Sequence, residues 1–225
     1  MDFYEHLLKA TETERKTLLS LPLITQGASG NISLQTYVAF LIEAYHHVKH
    51  TVPLLMACGG RLSEQYEWLR TSIGEYIEEE MGHQEWVLDD IAGCGMDAEA
   101  VRNGKPSLAT EIMVAYAYDM IHRVNPIGFF GMVLVLEGTS TAVATAAGQN
   151  IMKSLHLTPK SFTYLLSHGA LDVGHTDFYA GIVNQITDKK DQDCLIHTAK
   201  HFYQLYGNIF REIETRTMLK DSGWI

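Results

Sequence analysis

Apolar side chains recur at three- and four-residue intervals along almost the whole chain, while the period-two alternation of half-buried strands is absent. The sequence therefore predicts an all-α fold. Seven helical segments can be drawn, at roughly 2–19, 33–57, 62–92, 107–122, 126–154, 159–186 and 189–217, with ends uncertain by a few residues. Pro22 and the stretch Gly27-Ala28-Ser29-Gly30 end the first, Ser33 offers an N-cap hydroxyl to the second, and Gly59-Gly60 stops it. Ser63 precedes a long third segment that ends at Gly93-Cys94-Gly95, and Thr158-Pro159 opens the sixth in the cap-then-proline manner. These breaks are too short for interdomain linkers, so residues 1–225 read as one domain. At 225 residues such a domain buries enough apolar surface to fold without disulfide or metal staples. A metal here would serve chemistry rather than folding.

Charge and cysteine usage narrow the function. Lys plus Arg number 17 against 27 Asp plus Glu, a formal net charge of −10, and no basic stripe is present to neutralise phosphates. Nucleic acid is not an expected partner. Cys58, Cys94 and Cys194 are odd in number, far apart and without a C-x-x-C pair, which suits core thiols in a reducing cytoplasm. Met1-Asp2-Phe3-Tyr4-Glu5 already looks like the start of an amphipathic helix rather than a leader. The longest apolar run, Ile127 to Leu136, ends at Glu137 and is about half the ~20 residues needed to span a bilayer, so no membrane partner is expected.

The chemistry lies in ionisable residues placed where a helix should be apolar. Glu137 follows Phe129-Phe130-Gly131-Met132-Val133-Leu134-Val135-Leu136, apolar on every face, and precedes small residues. A carboxylate there loses several kcal/mol of solvation unless it is protonated, hydrogen-bonded or bound to a cation. Glu80 and His83 differ by three residues and share a helix face, a spacing with which helical bundles offer a carboxylate and an imidazole to one metal site. Trp86, Val87 and Ile91 set that histidine beside an apolar stripe, and Glu79 is the neighbouring alternative to Glu80. His168, Asp172 and His175 follow at i, i+4 and i+7, within about 60° of one another on a helix. Three imidazoles and three carboxylates form a mixed N/O donor set suited to iron or manganese rather than to a structural zinc or iron–sulfur site.

In order and spacing these motifs resemble the haem-oxygenase-like di-iron oxidases and oxygenases, whose fold is related to that of TenA-type thiaminases and PqqC. Glu80-x-x-His83, then Glu137, then His168-x-x-x-Asp172-x-x-His175 follow the family's pattern over nearly the whole chain. The resemblance implies a seven-helix haem-oxygenase-like bundle with two Fe ions held by those six residues, manganese being a possible substitute. It also implies O2-dependent oxidation of a small organic substrate such as a fatty acid, an amine or an amino-acid derivative. The alternative is a TenA/PqqC-like or haem-binding protein of the same fold without a di-iron site. A haem protein would use His6 as the axial ligand, and a TenA-like hydrolase would need one of the three cysteines as nucleophile. Tyr45, His46, Lys49 and His50 are candidates for lining the substrate pocket, with Lys49 or Arg123 available to a substrate carboxylate. His197 and His201 form another H-x-x-x-H, expected to pack or face water, and a homodimer is admitted as the assembly.

Overall fold

A computed structural model of the protein describes residues 1–221, with the backbone alone at 168–175 and 219–221. Twelve α-helices and no strand occur among the described residues, so the all-α expectation holds. The predicted segments are present, but three of them are broken and two helices lie in predicted gaps. The first segment is α1 (Phe3–Ala10) and α2 (Glu12–Leu19), and Pro22 opens a further helix, α3 (Pro22–Ser29), instead of ending the region. Proline fits there because the first helical position needs no N–H partner.

The second segment divides into α4 (Leu34–Val48) and α5 (Thr51–Arg61). Ser33 does cap α4, its hydroxyl accepting from Thr36 N–H at 3.1 Å. The break at Lys49–His50 lies four residues before Pro53, whose nitrogen cannot donate to the Lys49 carbonyl and whose ring would crowd it. Gly59-Gly60, expected to stop this helix, lies inside α5. The third segment divides into α6 (Glu67–Glu80) and α7 (His83–Gly93), and Ser63 makes no side-chain cap there. A short α8 (Ala98–Arg102) precedes α9 (Leu108–Asp119), α10 (Phe130–Leu155), α11 (Thr163–Val183) and α12 (Lys189–Asp221).

The 26-residue α10 is the central element, with α3, α11 and α12 packed along it. With its leading turn it is long and apolar enough to cross a bilayer by composition alone. Its neighbours show where that apolar surface goes. Gly131 lets α12 approach closely, since a Cβ there would lie 2.5 Å from Thr198 Oγ1 and 2.6 Å from the Ala199 backbone nitrogen. One apolar cluster surrounds the first half of α10 with Leu54, Ile73, Phe130, Val183 and Phe202 at its centre. A second gathers α4, α7 and the far half of α10 around Tyr37, Val87, Ala144 and Phe162. Tyr37 stacks on Phe162 at 4.8 Å and donates its hydroxyl to the Ser161 carbonyl at 2.6 Å, joining α4 to the start of α11.

Candidate metal centre

The Glu80/His83 pair sits across a helix break rather than on one continuous helix. Glu78, Glu79 and Glu80 crowd three carboxylates into the last turn of α6, where the carbonyl end of the helix dipole disfavours negative charge. Gly82 then takes a left-handed backbone conformation, φ +96°, which terminates α6 and starts α7 at His83. Across this turn Glu80 Oε2 lies 3.1 Å from His83 Nδ1, and both residues are buried, at 8% and 3% exposure. Glu79 is exposed, so burial favours Glu80 as the carboxylate of this pair. Trp86 stacks on His83 with ring centroids 3.9 Å apart, fixing the imidazole plane.

Glu137 projects from the middle of α10 into an apolar cavity that Glu80 also lines. Tyr76, one turn before Glu80 on α6, donates its hydroxyl to Glu137 Oε2 at 3.4 Å. Burial, and then the Glu137 carboxylate, hold the Tyr76 phenol well above its ordinary pKa, so it keeps its proton and acts as a donor. Tyr179, fully buried on α11, is pushed up by the same two causes and donates to the Phe130 carbonyl at 2.8 Å. The role of Tyr76 was not read from the sequence. Its i, i+4 spacing from Glu80 was the available signal.

Two further buried carboxylates have structural work. Asp90 on α7 accepts from the backbone N–H groups of Thr163 at 2.7 Å and Tyr164 at 2.8 Å, so it caps the start of α11 from another helix. Glu43 accepts from Ser107 N–H and from the Thr110 hydroxyl and pairs with Arg216, tying α4 to α9 and α12. Both are satisfied by groups that fix the fold. Glu80 and Glu137, in contrast, meet side chains around a cavity.

His168, Asp172 and His175 fall on α11, whose backbone is helical there and which packs against both α10 and α7. Their side chains lie outside the described residues. Among the described residues no group of three metal-ligating side chains is assembled. What those residues do provide is one imidazole and two carboxylates, from α6, α7 and α10.

The expected pocket residues are displaced from the cavity by one position. Tyr45, His46, Lys49 and His50 are absent from its lining, and His47 takes that place together with Val48 and Thr51. Successive residues on a helix point about 100° apart, so choosing His46 instead of His47 selects a different face. His46 and Lys49 contact each other at 3.2 Å, Lys49 lies over the Tyr45 ring, and His50 meets the Tyr118 hydroxyl at 3.2 Å. Arg123 pairs with Asp119, also away from the cavity. His201 meets the Tyr116 hydroxyl at 2.9 Å, and both it and His197 face solvent, as expected.

The residues required by the rival chemistries are also placed. His6 is exposed and outside the cavity lining, where it could not serve as axial ligand to a haem held there. No cysteine lines the cavity. Only Cys58 is a fully buried core thiol, its pKa pushed up to about 12 by burial, while Cys94 and Cys194 are half-buried. A thiol so disposed is a poor nucleophile.

Residues 38–207 match the family model described as iron-containing redox enzyme. A crystal structure of a domain of unknown function with a heme oxygenase-like fold, from Shewanella denitrificans, superposes with a TM-score of 0.87. It is 24% identical, over 99% of this chain and 96% of that one. A TenA homolog from Pseudomonas syringae pv. tomato gives 0.81 at 11% identity, over 95% and 93% of the two chains. Heme oxygenase-1 from the cyanobacterium Synechocystis, solved in complex with heme, gives 0.77 at 10% identity, over 99% and 96%. No curated protein matches the sequence. The likenesses establish the haem-oxygenase-like all-helical fold, and the family match spans most of the chain: the protein belongs to the iron-containing redox enzymes.

Proposed function

We propose that this protein is a non-haem di-iron oxidase or oxygenase acting on a small organic substrate held in the α10 cavity. One observation carries the reading. Two carboxylates, Glu80 from α6 and Glu137 from α10, line an apolar cavity, the buried His83 imidazole of α7 lies 3.1 Å from Glu80, and the helix packed along α10 bears His168, Asp172 and His175. Hard oxygen donors with imidazole suit Fe(II), or Mn(II) as a substitute, and the low-polarity surroundings favour neutralising buried carboxylates with a cation. Glu80, His83, Glu137, His168, Asp172 and His175 would hold the pair of metals. Bound iron would supply the electron transfers that reaction with O2 requires.

The protein's own groups have definable parts in this scheme. Tyr76 keeps a proton on the Glu137 side of the site, restricting which carboxylate oxygen is open to a cation. Trp86 holds the His83 ring by stacking. The apolar walls exclude water and bind a substrate largely by its hydrocarbon surface. The whole chain is taken as one domain working in the cytoplasm on a small molecule, without nucleic acid or membrane as partner.

Metal analysis after anaerobic Fe(II) loading tests this reading. The parent protein is expected to bind two irons per chain, with none or one bound by Glu137→Ala and by His168→Ala. Equal iron in parent and variants would refute it.

A further inference from the structure

His197 and His201 lie one turn apart on the solvent face of α12, and neither lines the α10 cavity. Their rings approach to 4.1 Å between centroids at an interplanar angle of 61°. Two imidazoles at i and i+4 on one helix face have the spacing with which a helix chelates a single transition-metal ion. When protonated, two such rings would repel each other. In their neutral forms each ring offers one nitrogen lone pair to a cation.

Tyr116 on α9 is the third member of the group. Its ring packs edge-on against Phe202, centroids 5.1 Å apart, and its hydroxyl lies 2.9 Å from His201 Nδ1. Burial, followed by the charges of Cys194 and Asp119, raises the Tyr116 phenol above its ordinary pKa, so it keeps its proton. Its oxygen can accept from His201 Nδ1–H, which leaves the lone pair of that ring on Nε2. Metal-bound histidines are held in this way, the second ring nitrogen tied to a partner that fixes tautomer and orientation. Burial and the neighbouring His197 also lower the His201 pKa, which favours the neutral ligand form.

The segment reads His197-Thr198-Ala199-Lys200-His201. Zinc metalloproteases with this histidine spacing place a glutamate base directly after the first histidine. Here that position is Thr198, fully buried and set against Gly131 of α10. Lys200 pairs with Glu14 at 3.6 Å, and Asp193, one turn before His197, pairs with Lys189. The group thus supplies ligands without a base, and two ligands fill half of a tetrahedral shell, leaving the rest to water.

We propose that His197 and His201 form an exchangeable surface site for a late first-row divalent ion of the Zn(II), Ni(II) and Cu(II) class, with Tyr116 as the positioning residue for His201. The site is separate from Glu80, His83 and Glu137 and does not rest on the di-iron reading. A bound ion clamps one turn of the helix that packs along α10, so it stabilises the fold.

The test is isothermal titration of full-length protein carrying Glu137→Ala and His168→Ala, which removes cavity ligands, with Cu(II), Ni(II), Zn(II) and Mg(II). One ion per chain is expected, bound most tightly as Cu(II), with no binding of Mg(II). His197→Ala and His201→Ala, both at exposed positions, should each weaken Zn(II) binding at least about tenfold and remove imidazole hyperfine structure from the Cu(II) resonance spectrum. Tyr116→Phe should weaken Zn(II) about tenfold while keeping one ion per chain. The urea midpoint should rise with Zn(II) in the protein that keeps both histidines and stay fixed in His197→Ala. The same titrations on the parent chain, read as a difference of one ion from its His197→Ala form, keep the test readable if the cavity variant does not fold. Equal Zn(II) binding with and without the two histidines, Mg(II) binding as tightly as Zn(II), or undiminished affinity in Tyr116→Phe would each overturn the proposal.

Discussion

The protein brings two carboxylates to one cavity by opposite means. Glu80 arrives at the end of α6, where the helix stops and a left-handed glycine turns the chain so that His83 folds back onto it. Glu137 arrives in the middle of the uninterrupted α10, held in place by packing from α3, α11 and α12. The first position depends on a local backbone conformation and can be altered by one residue of the turn. The second depends on tertiary packing, so substitutions beside Glu137 should leave its placement intact.

Removal of either carboxylate is the largest expected perturbation: Glu137→Ala and Glu80→Ala should each lose at least one iron of two, measured by metal analysis after anaerobic loading. Equal retention of both irons by one variant would show that its carboxylate is not a ligand. Gly82→Ala forces an L side chain into φ +96° and should lower stability by roughly 1–2 kcal/mol in urea unfolding, with weaker Fe(II) binding. Gly138→Ala, directly after Glu137, meets no described atom within 4 Å and lies inside a helix. It should be stabilising by about 0.5–1 kcal/mol with iron binding unchanged. Destabilisation at residue 138 as large as at residue 82 would erase the contrast.

Asp90 extends the comparison to the helix that bears His168, Asp172 and His175. Its caps hold the start of α11, so Asp90→Ala should cost about 1 kcal/mol. Burial, the dominant cause, pushes the Asp90 carboxyl up to about 6, above its ordinary value of 3.8. A carboxyl raised in the folded state binds its proton more readily there than in the unfolded chain. Its titration contribution is therefore fully present below the ordinary value and is lost as pH rises through about 6. The stability of the parent relative to Asp90→Ala should accordingly be greater at about pH 5 than at about pH 8, as read by urea midpoints. The smallest expected effect is Tyr76→Phe, which removes a 3.4 Å hydrogen bond to Glu137 and should weaken iron binding by only a few-fold.

Much of the fold was legible in the chain. Sustained three-and-four periodicity without alternation requires helices, and the apolar stretch before Glu137 identified the central one. Ser33 as a cap was also readable, because a hydroxyl before an amphipathic run has one local use. Local punctuation was readable in principle but easy to misjudge. Pro53 breaks the helix four residues upstream of itself, and Pro22 begins a helix rather than closing one. Gly82 followed an acidic helix end and gave the stop signal, yet the i, i+3 spacing of Glu80 and His83 looked equally natural on a continuous helix.

What the sequence determined by itself, then, is the helical class, the unusual carboxylate in an apolar helix, and the order of the ligand-type motifs. Those follow from local periodicity and from the cost of burying charge, which are properties of the chain before it folds. Tertiary structure alone decided that His47 rather than His46 or His50 reaches the cavity, since a helix face has no meaning until a neighbour packs against it. It also decided that Asp90 and Glu43 serve the fold whereas Glu80 and Glu137 face the cavity. The partners that hold Asp90 and Glu43 in the fold lie far along the chain, the Thr163 and Tyr164 N–H groups more than seventy residues from Asp90 and Ser107 and Thr110 more than sixty from Glu43.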